Sequence, residues 1–116
     1  MLVSIVTVYY NRENQVKESI ESLLNQTYQN IEIIAVDDGS TDNTYKLLSS
    51  YKDSRLKVIR HTNSGFVKSI RKAIEHSNGD IIAVHGSGDI SFLNRIEKQV
   101  SVLKNNSRIG VVSCYC

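Results

Sequence analysis

Two adjacent carboxylates, Asp37 and Asp38, are the residues of this 116-residue chain best suited to chemistry. They follow an apolar, β-branched run at residues 31–36, which predicts a buried strand. The residues after them include three candidate helix N-caps, Ser40, Thr41 and Asp42. Open α/β sheets bind ligands beyond the carboxyl ends of their strands. The pair is therefore predicted to face a crevice, where carboxylates accept hydrogen bonds from N–H or O–H groups.

Short apolar runs recur along the chain and alternate with segments of helical periodicity. The runs predict five strands, at residues 2–9, 31–36, 56–59, 81–84 and 109–112. Four intervening segments have apolar residues spaced as on one side of a helix: Val16, Ile20, Leu23 and Leu24; Leu47, Leu48 and Tyr51; Phe66, Ile70 and Ile74; Ile96, Val100 and Leu103. The pattern predicts four βα units and a fifth strand.

This alternation predicts an α/β fold of three layers, with a mostly parallel sheet between helices on its two faces. With strand order 3-2-1-4, the winding reverses between strands one and four. The loops at residues 9–13, 37–42 and 85–91 would then leave the same edge of the sheet. We expect them to converge on one ligand.

Length and composition exclude several classes of protein. The chain is predicted to be a single domain, because 116 residues of which 41% are hydrophobic can form one core. Its net charge of +2, with dispersed Lys and Arg, does not indicate nucleic acid as a partner. We expect no signal peptide or transmembrane segment, a cytoplasmic location, and free thiols at Cys114 and Cys116.

The first loop excludes two common nucleotide sites. It reads YYNREN, without the glycines that a dinucleotide-binding G-x-G-x-x-G turn needs, and the chain contains no P-loop motif. The remaining prediction is a nucleotide held by side chains. Tyr10 offers an aromatic face to a base, and Asp38 can accept from a uracil imide or a ribose hydroxyl.

Four sequence blocks, in this order, resemble the family 2 glycosyltransferases of the GT-A fold: VSIVTVYYNREN, ESIESLLNQTYQNIEIIAVDDGSTDNT, NSG and NGDIIAVHGSGDI. The resemblance implies a Rossmann-like GT-A domain and inverting transfer of a hexosyl group. The donor would be a nucleotide-diphosphate sugar, in particular a UDP-sugar, and the acceptor a polysaccharide or glycolipid. The resemblance also implies that Tyr10 and Asp38 contact the base of the donor. Asp37 and the Val8 backbone would lie nearby, and Asn11 would form part of the same wall of the binding site.

Members of that family usually carry a D-x-D motif after strand four, which binds Mg²⁺ or Mn²⁺ against the diphosphate. In this chain the two aspartates of the motif stand as Gly86 and Gly88, and Asp89 is the carboxylate that remains. One alternative is a rearranged metal site of Asp89, His85 and Ser87. The other is direct contact of the diphosphate with Lys68, Arg71 or Lys72.

The resemblance also implies a longer protein. We expect the chain to lack the acceptor-binding part and the catalytic base, to act at the inner face of the membrane and to be able to self-associate. The competing hypothesis is a degenerate, non-catalytic module that binds nucleotide.

Structural roles compete with the proposed binding roles. Asp37 and Asp38 could cap a helix, Asp89 could favour the start of the fourth helix, and His85 is more typical of a hydrogen-bonded structural residue. Phe66 and Phe92 are expected in the core.

Overall fold

The computed structural model describes residues 1–114, which form a three-layer α/β/α sandwich. The elements, in chain order, are β1 Val3–Tyr9, α1 Val16–Leu24, β2 Ile31–Asp38, α2 Thr44–Ser49, β3 Leu56–His61, α3 Phe66–Glu75, β4 Ile81–Gly86 and α4 Arg95–Asn105. The strands pair in parallel, which confirms the predicted parallel sheet, and their order is β3-β2-β1-β4.

Side-chain alternation along the strands divides the core between the two faces of the sheet. On one face, Ile5 and Ile33 pack with Leu23 of α1 and Ile96 of α4. Further along that face, a second cluster joins α1 and α2 to the sheet through Tyr9, Val16, Ile20, Ala35 and Leu48. The opposite face is covered by α3, whose Ala73 packs on Val6, Ile34 and Val36. Residues of β1 and β2 are therefore buried on both faces, as their continuous apolar runs predicted.

The predicted fifth strand is not formed. Residues 109–112 have no strand assignment, and Val111 is 86% exposed. The run Ile-Gly-Val-Val has the composition of a strand, but a strand also needs a neighbour to satisfy its backbone groups. In the described residues the backbone N–H of Ile109 instead donates to the carbonyl of Asn106, as in a turn.

The prediction that Phe66 and Phe92 belong to the core is also wrong, because their side chains are 60% and 83% exposed. The inner side of α3 is formed by Ser69 and Ala73 instead. Because these two side chains are small, α3 can approach β1 and β2 closely. Phe92 lies in the loop before α4, outside any helix.

Two further findings concern the chain as a whole. Cys114 is a free, exposed cysteine, as expected, whereas Cys116 lies outside the described residues. Among residues 1–114, no helix has the length and apolar character needed to cross a membrane.

Candidate functional site

The candidate site lies where the carboxyl ends of β1, β2 and β4 meet. Val8 of β1 is in register with Val36 of β2 on one side and with Gly86 of β4 on the other. The chain winds outward from β1 in both directions, so the strand order reverses between β1 and β4. Open α/β sheets bind their ligands in a crevice at such a point. The structure thus brings the three predicted loops to one edge.

Asp37 is fully buried and fixes the loop after β2. Its carboxylate accepts hydrogen bonds from the backbone N–H and the hydroxyl of Ser40. The guanidinium Nε of Arg60 lies 3.4 Å from Asp37 Oδ2, and the same guanidinium stacks over the ring of Tyr45 at 4.7 Å from its centroid. These contacts make Asp37 a buried anchor of the loop, with no oxygen facing the crevice.

Ser40 also connects the loop after β2 to the loop after β1. Its hydroxyl oxygen accepts the backbone N–H of Asn11 at 2.9 Å, and Asn11 Oδ1 in turn accepts the backbone N–H of Thr41 at 2.8 Å. Asn11 has φ of 50°, a left-handed conformation that Asn tolerates better than most residues. These hydrogen bonds join the loop after β1 to the loop after β2. Tyr10, in the first of these loops, is 46% exposed at the rim of the crevice.

Asp38, in contrast, is turned toward the start of α3 and is 4% exposed. Oδ1 accepts the backbone N–H of Ser64 at 2.8 Å and lies 3.1 Å from His61 Nε2. Oδ2 accepts the backbone N–H of Gly65 at 3.1 Å and the amide of Asn63 at 3.4 Å. A carboxylate has about four acceptor positions, and the Asp38 carboxylate accepts from Asn63, Ser64 and Gly65. Asp38 therefore anchors the loop that leads from β3 into α3.

These contacts also determine the ionisation of Asp38. Burial by itself would raise the pKa of the carboxyl group, but hydrogen bonds from Ser64, Ser69 and Gly65 outweigh it, with a smaller contribution from His61. The pKa of Asp38 is consequently lower than its ordinary value, so the group is a stable carboxylate and is poorly suited to be a proton-transfer base near neutral pH.

The loop after β4 contains the glycines that replace the D-x-D aspartates. A Cβ built on Gly86 would lie 2.5 Å from Asp89 Oδ2, so the Asp89 carboxylate occupies the space that a side chain at position 86 would need. The backbone N–H of Asp89 also donates to the carbonyl of Gly86 at 3.0 Å. Gly88 is different, since no heavy atom of the described residues lies within 4 Å of its Cβ position.

The residues present do not fit the carboxylate clamp that the family motif provides for a cation. Among the described residues there is no group of three or more His, Cys, Asp and Glu side chains placed to hold a metal. Asp89 is the one carboxylate of its loop, and His85 is buried and turned inward. No chemical step is therefore assigned to a metal.

His85 confirms the expectation of a structural histidine. Its Nδ1 lies 3.0 Å from Ser91 Oγ, and its Nε2 lies 3.1 Å from Ser19 Oγ. Burial, followed by the charge of Arg95, lowers the pKa of His85 to about 4. The imidazole is thus neutral at physiological pH.

Two of the predicted cations, Lys68 and Arg71, do not lie together on α3. Lys68 is exposed in the first turn of α3, close to the Gly65 N–H that Asp38 accepts. Arg71 is separated by two residues, or about 200° of helical rotation, from both buried residues of α3, Ser69 and Ala73. Arg71 therefore faces solvent on the side of α3 away from the sheet.

Sequence reasoning missed Arg60, Ser40 and Asn63 as parts of the site. Asn63 belongs to the NSG block, and its side-chain amide donates to the Asp38 carbonyl at 3.0 Å. The NSG block could therefore have indicated Asn63 as part of the site. Nothing in the sequence indicated that Arg60 pairs with Asp37, because that contact depends on the register of β3 against β2.

A parallel α/β sheet of order β3-β2-β1-β4, without a glycine-rich first loop, defines a Rossmann-like domain. The sequence model of Glycosyl transferase family 2 matches residues 4–115. The chain belongs to that family.

Individual relatives agree with this assignment. EpsE of Bacillus subtilis (strain 168), a glycosyltransferase by name, is 40% identical over 114 residues, which cover 95% of this chain and 41% of EpsE. The UDP-Glc:alpha-D-GlcNAc-diphosphoundecaprenol beta-1,3-glucosyltransferase WfgD of Escherichia coli is 39% identical over 107 residues, 90% of this chain and 42% of WfgD. The chain thus spans less than half the length of both relatives.

Solved structures show the same architecture. The S. aureus TarS 1–349 structure in complex with UDP matches with a TM-score of 0.84 and 27% identity, over 90% of this chain and 32% of that one. A Pyrobaculum calidifontis mannosyltransferase in complex with GDP-Man and Mn²⁺ matches with a TM-score of 0.67 and 22% identity, over 74% of this chain and 27% of that one. The second match shows the GT-A fold alone.

Proposed function

We propose that this chain is the donor-binding part of an inverting glycosyltransferase that uses a UDP-sugar. Family membership gives the reaction class. The UDP-Glc donor in the name of WfgD and the UDP bound to TarS support uridine diphosphate as the nucleotide. A polysaccharide or glycolipid acceptor is proposed from the same relatives, and the acceptor-binding segments are proposed to lie outside residues 1–116.

The exposed ring of Tyr10 is the observation that carries this proposal. It stands at the rim of the crevice on a loop held by the Asn11 and Ser40 hydrogen bonds. A base that enters beside the Val8 backbone would stack on this ring without a rearrangement of the loop, which reduces the entropy cost of binding. Asn11 and Asp37 contribute by holding Tyr10 in place.

The role proposed for Asp38 follows from its partners. Its carboxylate is buried, already accepts hydrogen bonds from Asn63, Ser64 and Gly65, and lies beside His61. We therefore assign base recognition to Tyr10 and to the backbone around it, and we assign Asp38 the task of holding the loop after β3 against the crevice. Lys68, at the same end of α3, would offset charge on the diphosphate.

In the proposed reaction, an acceptor hydroxyl oxygen forms a bond to the anomeric carbon while the bond from that carbon to the diphosphate oxygen breaks. UDP leaves with the electron pair, and the hydroxyl proton passes to a base. None of the described residues is assigned that role, because Asp37 and Asp38 are buried carboxylates whose oxygens already accept hydrogen bonds.

A non-catalytic nucleotide-binding module is the second candidate. The replacement of both motif aspartates by Gly86 and Gly88 favours it, since it removes the side chains that usually hold the cation against the leaving group. Release of UDP from a UDP-sugar, supplied with acceptor and the full-length protein, distinguishes the two candidates. A protein that binds UDP but releases none from the sugar is the module.

We expect Tyr10→Ala to weaken UDP binding by about tenfold, because stacking of a base on an aromatic ring contributes about 1–3 kcal/mol. Tyr10→Phe keeps the ring and should bind within about twofold of the unaltered chain. The measurement is a UDP titration followed by amide chemical shifts. Shifts are expected at residues 8–12 and 86–89, whereas residues 78–80, at the opposite edge of the sheet, serve as the internal control. Equal affinities for the alanine variant and the unaltered chain would reject the stacking role.

A further inference from the structure

A polar stripe on the inner side of α1 holds the loop that follows β4. The stripe consists of Ser19, Ser22 and Gln26, which are spaced three and four residues apart and are all buried. Ser22 Oγ accepts the backbone N–H of Ser91 at 3.0 Å. Gln26, just beyond the end of α1, donates to the carbonyl of Phe92 at 2.7 Å and accepts the backbone N–H of Ile96 at 3.0 Å. Polar groups on the inner side of a helix are costly unless they are bonded, and here Ser22 and Gln26 bond the backbone of the loop after β4 and of α4.

His85 joins this stripe to the loop through both ring nitrogens. Ser19 Oγ is 3.1 Å from His85 Nε2 and 2.6 Å from the Tyr9 hydroxyl, while Ser91 Oγ is 3.0 Å from His85 Nδ1. A single buried chain of hydrogen bonds therefore connects the end of β1 to the end of β4. The residue after Tyr9 is the rim residue Tyr10, and the residue after His85 is Gly86.

Arg95 favours one direction for these hydrogen bonds. Its Nη1 donates to Ser91 Oγ at 3.1 Å, and its Nη2 donates to the carbonyl of Val84 at 2.9 Å. Because a guanidinium only donates, one lone pair of Ser91 Oγ accepts from Arg95, and the Ser91 proton is available for His85 Nδ1. In that direction His85 Nε2 carries the ring hydrogen and donates to Ser19. A second proton on the ring would remove the acceptor of the Ser91 hydroxyl and would place a charge beside Arg95.

We propose that His85 is a positioning residue of the donor site, whose neutral imidazole bridges Ser19 and Ser91 and so fixes the glycine loop, residues 86–89, beside the crevice. This inference rests on the donor-binding function proposed above. Glycines at positions 86 and 88 make the loop intrinsically flexible, and no carboxylate clamp is present in the described residues to order it. The bridge orders it from the protein interior, so that the loop is in place before the donor arrives.

The first test is the tautomer of His85, measured by long-range ¹H–¹⁵N correlation in the unaltered chain at neutral pH. The expected signature is a neutral ring with hydrogen on Nε2. A ring protonated on both nitrogens, or one with hydrogen on Nδ1 alone, overturns the proposal. This measurement needs no variant and is independent of UDP.

The second test compares His85→Leu, which removes both bonds at similar volume, with His85→Gln, whose amide can both donate and accept. The exposed His76, which bonds the Lys72 carbonyl of its own helix, supplies the control variant His76→Gln. In His85→Leu, amide exchange at residues 86–91 should rise about tenfold or more while β1 and β2 stay within about twofold. UDP affinity should fall about tenfold, with partial recovery in His85→Gln and no change in His76→Gln.

Uniform acceleration of exchange throughout His85→Leu, or unchanged exchange at residues 86–91, overturns the anchoring role. Increased loop exchange with unchanged UDP affinity overturns the link to the donor site. If the unaltered chain binds no UDP, the proposed function fails, while the tautomer and the exchange pattern still decide whether His85 anchors the loop.

Discussion

Asp38→Ala is expected to lower the free energy of unfolding by about 2 kcal/mol, because it removes a buried carboxylate that several donors share. The donors are the backbone N–H groups of Ser64 and Gly65 and the side-chain amide of Asn63. Urea denaturation at neutral pH measures the change. Asp80→Ala is the matched control, because Asp80 is exposed and its carboxylate accepts one hydrogen bond, from the backbone N–H of Leu2. We expect the control to lose less than about 1 kcal/mol.

Asp38 also makes stability depend on pH in a defined direction. Its pKa is lowered in the folded chain from the ordinary 3.8, so the unfolded chain takes up the proton first as the pH falls. The stabilisation is complete well above that value and is lost as the pH falls through the folded pKa. Asp38→Asn cannot titrate and should lose less stability between about pH 7 and pH 3 than the unaltered chain. Parallel losses in the two proteins would show that Asp38 does not carry the effect.

Gly39→Ala is expected to be about as damaging as Asp38→Ala, for a steric reason. Gly39 has φ of 69°, and a Cβ at this position would lie 2.5 Å from the backbone nitrogen of Asn63. Asn63 cannot move away easily, because its amide holds the Asp38 carbonyl. A left-handed conformation costs about 1–2 kcal/mol for alanine, and the clash adds about 1–3 kcal/mol.

Substitutions at two other glycines distinguish the cost of backbone strain from the cost of the clash. Gly65 has φ of 94° and ψ of 164°, a region open essentially to glycine, and no heavy atom lies within 4 Å of its Cβ position. Gly65→Ala therefore measures backbone strain without a clash. Gly88 has neither a positive φ nor a close neighbour, so Gly88→Ala should change stability by less than about 0.5 kcal/mol. Thermal denaturation of the three variants should rank them Gly39, Gly65, Gly88 in order of loss. If Gly39→Ala is no less stable than Gly65→Ala, the close packing of the two loops is wrong.

The parallel sheet, and the edge at which the loops after β1, β2 and β4 meet, could be predicted because they depend on periodicities that the sequence displays directly. Strands buried on both faces read as continuous apolar runs, and the helices between them require parallel pairing with right-handed crossovers. The segment at residues 109–112 has the same kind of composition but no strand pairing, since pairing depends on a neighbour that composition does not reveal.

The side-chain partners within the site could not be predicted, because they depend on register and on which way a loop turns. Asp37 and Asp38 are adjacent, yet alternation along β2 sends them to opposite faces of the sheet, one toward Ser40 and Arg60 and the other toward α3. His85 could be recognised as structural from its position at a strand end. Its link to Ser19 requires the packing of α1 against β4, which no local pattern encodes.

The central claim, that this chain binds the nucleotide of a sugar donor with its own side chains, is tested most directly by calorimetric titration with UDP. The titration is made once in EDTA and once with Mn²⁺. The account predicts saturable binding in EDTA, with an affinity that Mn²⁺ changes by less than about threefold. Binding that appears only with Mn²⁺ would contradict recognition by side chains alone. The absence of binding under both conditions would contradict the donor site itself.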